Sequence, residues 1–207
     1  MEKLIEKIET LKNNEINSLV KNRIKEFKEL GQKTNDDIFK ELCFCILTAN
    51  FNAEKSIRIQ DIIGNKFLTS SKEELSEKLS ELGHRYPNTR AEYISASLKY
   101  KNLLKDIIKN SKDKQIREWL VKNIKGLGYK ESSHFLRNIG FDDIAIIDFH
   151  IIDILVDHNL IERPKCLTKN KYLEIENTLR SLGEKTNLTL SELDLYLWYI
   201  ETGKILK

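Results

Sequence analysis

Ile124-Lys125-Gly126-Leu127-Gly128-Tyr129-Lys130-Glu131-Ser132-Ser133 is the stretch on which the fold turns. Before it, residues 115–125 (Gln-Ile-Arg-Glu-Trp-Leu-Val-Lys-Asn-Ile-Lys) read as an amphipathic helix. Gly126 and Gly128 break that helix, and a second one starts near Tyr129. Two glycines flanking one apolar residue let the chain turn tightly, with Leu127 pinned inward between the helices. Such a turn should leave backbone N–H groups at the start of the second helix unpaired and facing outward. A helix N-terminus of that kind is a seat for a phosphate, and contacts of this kind position a protein on DNA without reading its sequence. Taken alone, a Gly-x-Gly can also do no more than end one helix and begin another.

Outward from this turn the chain reads as helix after helix. Residues 1–30 carry Leu4, Ile5, Ile8, Leu11, Ile16, Leu19, Val20, Ile24 and Phe27 at helical spacing, with Gly31 as the stop. Asn35 or Asp36 is the expected cap of the next helix, strongly apolar over 39–47. Further helices are expected at 52–64, 72–82, 89–109, 112–125, 129–139, 148–158, 169–184 and 190–200. Ile144-Ala145-Ile146-Ile147 reads equally as a short strand or a buried loop. Linkers are short, and residues 83–88 (Gly-His-Arg-Tyr-Pro-Asn) form the other sharp break.

Composition sets outer limits. With 40% hydrophobic and 32% charged residues over 207 positions, the chain can bury a sizeable core and is not a disordered one. No apolar run approaches a membrane span, and the first residues begin no signal peptide, so a soluble, cytoplasmic protein is expected. A net charge of +3 permits nucleic acid as a partner without arguing for it. Cys43, Cys45 and Cys166 make no disulfide framework and read as buried reduced thiols; the four histidines show no zinc spacing.

The residues after the hairpin narrow the reading. In Ile146-Ile147-Asp148-Phe149-His150 an acid precedes x-His, and it lies 148 − 130 = 18 positions beyond Lys130. Here the chain resembles the helix-hairpin-helix family of DNA glycosylases, whose pattern is a Gly-x-Gly hairpin, a lysine two residues on, and a later acid just before x-His. Phe44-Cys45-Ile46-Leu47-Thr48-Ala49-Asn50-Phe51 looks like the family segment whose loop enters the duplex. Thr89-Arg90-Ala91-Glu92-Tyr93-Ile94 is similar to the family's Arg-Ala-x-Tyr-Ile helix. The short length, the lack of an amino-terminal β-domain and the end at Trp198 to Lys207 resemble the type 2 8-oxoguanine DNA glycosylases. The four cysteines that hold an iron–sulfur cluster in other branches are missing.

That resemblance implies an all-α fold of two helical lobes flanking a cleft, with a helix-hairpin-helix motif. The chain is then a single glycosylase unit, with approximate lobes at 37–141 (a helical barrel with the hairpin at 115–139) and at 1–36 plus 142–207. It implies Lys130 as nucleophile, Asp148 as its catalytic partner, and Gly126, Gly128 and Lys125 on DNA phosphate. It further implies Trp198, Lys207 and Tyr86 at the base pocket, Asn50 and Phe51 inserted into the duplex, and no metal or organic cofactor. The partner is double-stranded DNA containing 8-oxoguanine, met by a monomer. His150 is read as structural.

The chemistry asks for these residue types. Removing a damaged purine requires attack at the sugar C1′, where positive charge builds as the base departs. A primary amine can attack there, become a Schiff base and permit elimination of the 3′ phosphate; lysine supplies that amine. Burial and the positive end of the second helix disfavour an ammonium, while a nearby Asp148 favours one. Asp148 is suited to stabilising the cationic sugar, to moving protons and to capping its own helix. Two other readings stand beside this one: a glycosylase for another oxidised base, and a non-catalytic hairpin module that only grips phosphates.

Overall fold

The computed structural model describes residues 1–110 and 113–207. Helix ends follow capping side chains more closely than apolar periodicity. The helix expected over 1–30 is two, α1 (Glu2–Lys12) and α2 (Glu15–Gln32). Asn13 and Asn14 divide them: Asn13 donates its side-chain amide to the Glu9 carbonyl (2.9 Å), and Asn14 Oδ1 accepts the Ile16 N–H (2.9 Å). Short amide side chains of this kind compete with the helical ladder. Gly31 does not stop α2, which continues to Gln32.

α3 (Asn35–Thr48) is capped by Thr34, neither by Asn35 nor by Asp36. Thr34 Oγ1 accepts the Asp37 N–H (3.2 Å) and Asp37 accepts the Thr34 N–H (3.3 Å), a reciprocal box. The Thr34 hydroxyl, with Lys40, holds the Asp37 carboxyl down at about 2. α4 (Ala53–Ile63) runs into a 3₁₀ turn (Gly64–Leu68), followed by α5 (Lys72–Glu81) and α6 (Pro87–Ser97). The helix expected over 89–109 is interrupted by a 3₁₀ stretch (Leu98–Leu103) before α7 (Leu104–Lys109). Asn35 sits in that interruption, donating to the Asn102 carbonyl and accepting the Lys105 N–H, both at 3.0 Å.

α8 (Asp113–Asn123) covers the described part of the helix expected from 112; residue 112 lies outside the described residues. Then come α9 (Tyr129–Asn138), α10 (Phe149–Asp157), α11 (Lys169–Thr186) and α12 (Leu190–Thr202). Among the described residues there is no strand, and the fold is all-helical. Residues 144–147 are a fully buried loop in which α11 bonds the backbone of Ala145 and Ile147. The Tyr172 hydroxyl donates to the Ala145 carbonyl (2.8 Å) and accepts the Ile147 N–H (3.1 Å), while Glu176 accepts the Ala145 N–H (3.2 Å).

Two compact units emerge, one of Met1–Glu29 with Leu136–Lys207, the other of Leu30–Phe135. Their limits fall inside α2 and α9. The second unit is built on α3, buried almost all round from Ile38 to Thr48, as a central helix must be. In the first unit Ile16, Val20 and Phe27 of α2 pack on Leu195 and Tyr196 of α12, with Ile205 closing the edge. Burying each such apolar side chain contributes roughly 1.5–3 kcal/mol. No helix among the described residues is long and apolar enough to cross a membrane.

Cys43 and Cys45 are buried, and burial pushes the Cys43 thiol up. Cys166 is exposed, contrary to the expectation of three buried thiols, because it lies in the irregular segment between α10 and α11. Among the described residues no group of three or more His, Cys, Asp and Glu could hold a metal ion.

Candidate active site

In the unit 30–135, the turn between α8 and α9 buries Ile124 and Leu127, the latter 5% exposed, as its apolar position requires. Gly126 has φ +86°, a conformation costly for any residue with a Cβ. Space forbids one too: a Cβ there would lie 2.9 Å from Tyr93 Cε2 and closer still to Cδ2. The Gly128 N–H, expected to point outward unpaired, is taken by Glu131, whose Oε2 accepts it at 3.2 Å. Glu131 is the third residue of α9, where a carboxylate reaches back to the residue that precedes the helix. The Lys130 amide belongs to the first helical turn, which has no intrahelical acceptor.

Lys130 is the second residue of α9 and half-buried; no described side chain of its own unit engages its amine. The first turn of α9 is fastened to α8. The Tyr129 hydroxyl donates to Glu118, the Arg117 guanidinium lies 5.2 Å from the Tyr129 ring centre, and buried Arg117 donates to Ser133 Oγ (3.3 Å). Lys125 pairs with Glu92 at 3.2 Å, but both side chains are more than half exposed and the pair is weak.

The loop after α3 lies in the same unit. Asn50 is exposed with φ +56°, and Phe51 stacks on the His84 ring at 4.1 Å between centres. His84 Nδ1 accepts the Tyr86 N–H (3.1 Å), so its proton is on Nε2 and is donated to the Leu47 carbonyl (3.0 Å). Burial lowers the pKa of this imidazole, and Arg90 lowers it further. Tyr86 is half-buried, with the guanidinium groups of Arg85 and Arg90 at 5.2 and 5.6 Å from its ring centre. Arg90 is only 6% exposed and donates to the Ala49 carbonyl.

In the other unit Asp148 caps α10 through Oδ1, which accepts the Ile151 N–H at 3.1 Å. The cap uses one carboxylate oxygen and leaves the second without a hydrogen bond among the described residues. Phe149, next to it, is 64% exposed and lies against His150 at 3.9 Å. His150 in turn meets Trp198 edge-on, 5.0 Å between centres at 87°, and its Nδ1 is 3.5 Å from Glu201. Trp198 Nε1 is buried with no acceptor among the described residues. Lys207 is half-buried, and the packing of Ile205 ties this last stretch to the unit's core.

Phe149, Arg90, His84, Glu131 and Tyr172 were not singled out from sequence as site residues. Three of them, Arg90, His84 and Tyr172, act through contacts between segments far apart in the chain, and Phe149 is marked only by its exposure. Only Glu131, three residues past Gly128, carries a local signature, that of an N-terminal capping carboxylate.

A family model described as 8-oxoguanine DNA glycosylase matches residues 20–188. The chain belongs to that family. It is similar to the 8-oxoguanine DNA glycosylase/AP lyase of Methanocaldococcus jannaschii, 59% identical over 206 residues and 99% of each chain. The protein of the same name from Korarchaeum cryptofilum is 50% identical, over 99% of this chain and 98% of that one. Among solved structures, the M. jannaschii 8-oxoguanine glycosylase/lyase in complex with a 15mer DNA containing 8-oxoguanine superposes with a TM-score of 0.96, at 58% identity over 99% of both chains. The 8-oxoguanine DNA glycosylase of Thermotoga maritima gives 0.93 at 46% identity, covering 100% of this chain and 99% of that one. The all-helical fold is thus that of the 8-oxoguanine DNA glycosylase family.

Proposed function

We propose that this chain removes 8-oxoguanine from double-stranded DNA and nicks the resulting abasic site, with Lys130 as nucleophile and Asp148 as its partner. The observation that carries the proposal is the place of Lys130: half-buried, second in the helix that opens directly after the glycine turn. In this reading the neutral amine attacks C1′, the bond to the base breaks and 8-oxoguanine leaves with a proton. The sugar ring opens to an imine between Nζ and C1′; loss of a C2′ proton then expels the 3′ phosphate, and water releases the enzyme. In this reading the Asp148 oxygen not used as a cap stabilises the positive charge that develops on the sugar.

Gly126, Gly128 and Lys125 hold DNA phosphates in this reading, Asn50 and Phe51 enter the duplex, and Trp198, Tyr86 and Lys207 receive the expelled base. The support is the identity of 46–59% over nearly whole chains with proteins named 8-oxoguanine DNA glycosylase/AP lyase. The enzyme works as a monomer on the nucleoid and needs no cofactor. Borohydride trapping on a panel of lesion-bearing duplexes tests this. A covalent complex is expected with 8-oxoguanine DNA; trapping with an oxidised pyrimidine alone, or with no lesion at all, would overturn it.

A further inference from the structure

Four contacts meet on one face of α6. Arg90 and Tyr93 are three positions apart and so lie side by side on that helix. Arg90 donates to the Ala49 carbonyl, one residue before the left-handed Asn50. Its guanidinium lies 5.6 Å from the Tyr86 ring centre and 5.8 Å from that of Tyr93. The Tyr93 ring fills the space that a side chain at position 126 would need. The Glu131 carboxylate, which accepts the Gly128 N–H, favours the Arg90 charge across the same gap, against the burial that lowers its pKa.

We propose that α6 is a spacing bracket between the turn 126–128 and the loop 49–51, with Arg90 and Tyr93 as its positioning residues. This rests on the proposed function, in which both segments contact one duplex. The lysine past the turn must meet the sugar whose base the loop residues displace, and a relative shift of 1 Å between such groups can cost on the order of 100-fold in rate. Loops drift, whereas a helix is stiff. A buried guanidinium that forms no ion pair among the described residues is a costly way to hold one loop carbonyl, unless the position of that loop matters. A lysine could not reproduce it, because the planar fork donates to Ala49 while its faces lie near two rings.

The test compares imine trapping on an 8-oxoguanine duplex with trapping on a single-stranded oligonucleotide carrying a preformed abasic site. The second substrate has no base to expel and no gap to fill, so it does not need the loop. Arg90→Met and Tyr93→Ala should lower duplex trapping on the order of 100-fold and leave single-strand trapping within about threefold, a free-energy change under ~1 kcal/mol. Tyr93→Phe keeps the ring and should restore the duplex rate. Equal losses on both substrates, or no loss on the duplex, would overturn the bracket. If Arg90→Met does not fold, Arg90→Lys replaces it with the same expectation. If the parent protein traps nothing, the lysine chemistry fails, and duplex affinity decides the bracket separately. Asn50→Ala and Lys125→Ala should then be non-additive in the parent and additive with Tyr93→Ala, whereas additivity in the parent rejects it.

Discussion

Glu131 accepts the Gly128 amide at 3.2 Å, so the turn that would hold a DNA phosphate already holds a carboxylate of its own. A bound phosphate must share or displace it. Glu131→Gln keeps an acceptor and removes the like charge, so undamaged duplex should bind several-fold tighter in low salt, by fluorescence anisotropy. Glu131→Ala removes the acceptor as well and should cost about 0.5–2 kcal/mol of stability, read as a lower Tm. Unchanged affinity in both variants would show that no phosphate sits at this amide.

Lys130→Gln should abolish borohydride trapping while leaving duplex affinity within about twofold, a difference under ~0.5 kcal/mol. Trapping at the parental level would refute the nucleophile.

Asp148→Asn separates the two duties of that side chain. Asparagine caps a helix about as well as aspartate, so the Tm should stay nearly constant. Base release should slow on the order of 10²–10³-fold if the carboxylate has the proposed role of stabilising the cationic sugar. Near-parental single-turnover rates would leave Asp148 as a cap alone.

Trp198 Nε1 has no acceptor among the described residues, so Trp198→Phe should cost under ~1 kcal/mol while keeping the edge-on pairing with His150. Trp198→Ala should cost more, about 2–3 kcal/mol, at a half-buried site. Excision of 8-oxoguanine should fall with Trp198→Ala while cleavage of a preformed abasic site survives; loss of both together would argue against a role at the base.

His84 makes stability depend on pH. Its folded pKa lies below the ordinary 6.5, so below that pH the unfolded chain binds the extra proton more readily. Stability should therefore hold above 6.5 and decline as the pH falls through 6.5 toward the lower folded value. Burial sets the direction, and a proton on Nδ1 would in addition face the Tyr86 N–H that now donates to it. A Tm series from pH 8 to 5 should show the decline in the parent and a shallower one in His84→Gln. Parallel curves would remove His84 as the cause.

The glycine turn, the placement of Leu127 and the helical character of nearly every segment were legible because they are local: a breaker, a period, a spacing. Legibility failed where a side chain from elsewhere decided the matter. Asn13 and Asn14 broke a helix that periodicity ran through, and Thr34 outcompeted its neighbours as a cap because Asp37 completed its box. Asn35, taken for a cap, interrupts the segment around Asn102 and Lys105 instead. The supports of the loop after α3 were hidden for the same reason, since His84 and Arg90 reach it from 37 and 41 positions away. At the turn itself, the expectation of an open amide overlooked that a carboxylate three residues on can close it.

The phenol of Tyr172 is the only oxygen among the described residues that both gives to Ala145 and takes from Ile147, in the run that leads into Asp148. Deleting that one atom strips two buried main-chain groups at once, at roughly 1–3 kcal/mol each, while the ring itself stays in place. Tyrosine alone couples that reach with a group that donates and accepts, so position 172 has no neutral neighbour in sequence space. A residue of no chemical consequence to the substrate thereby becomes among the least replaceable in the chain.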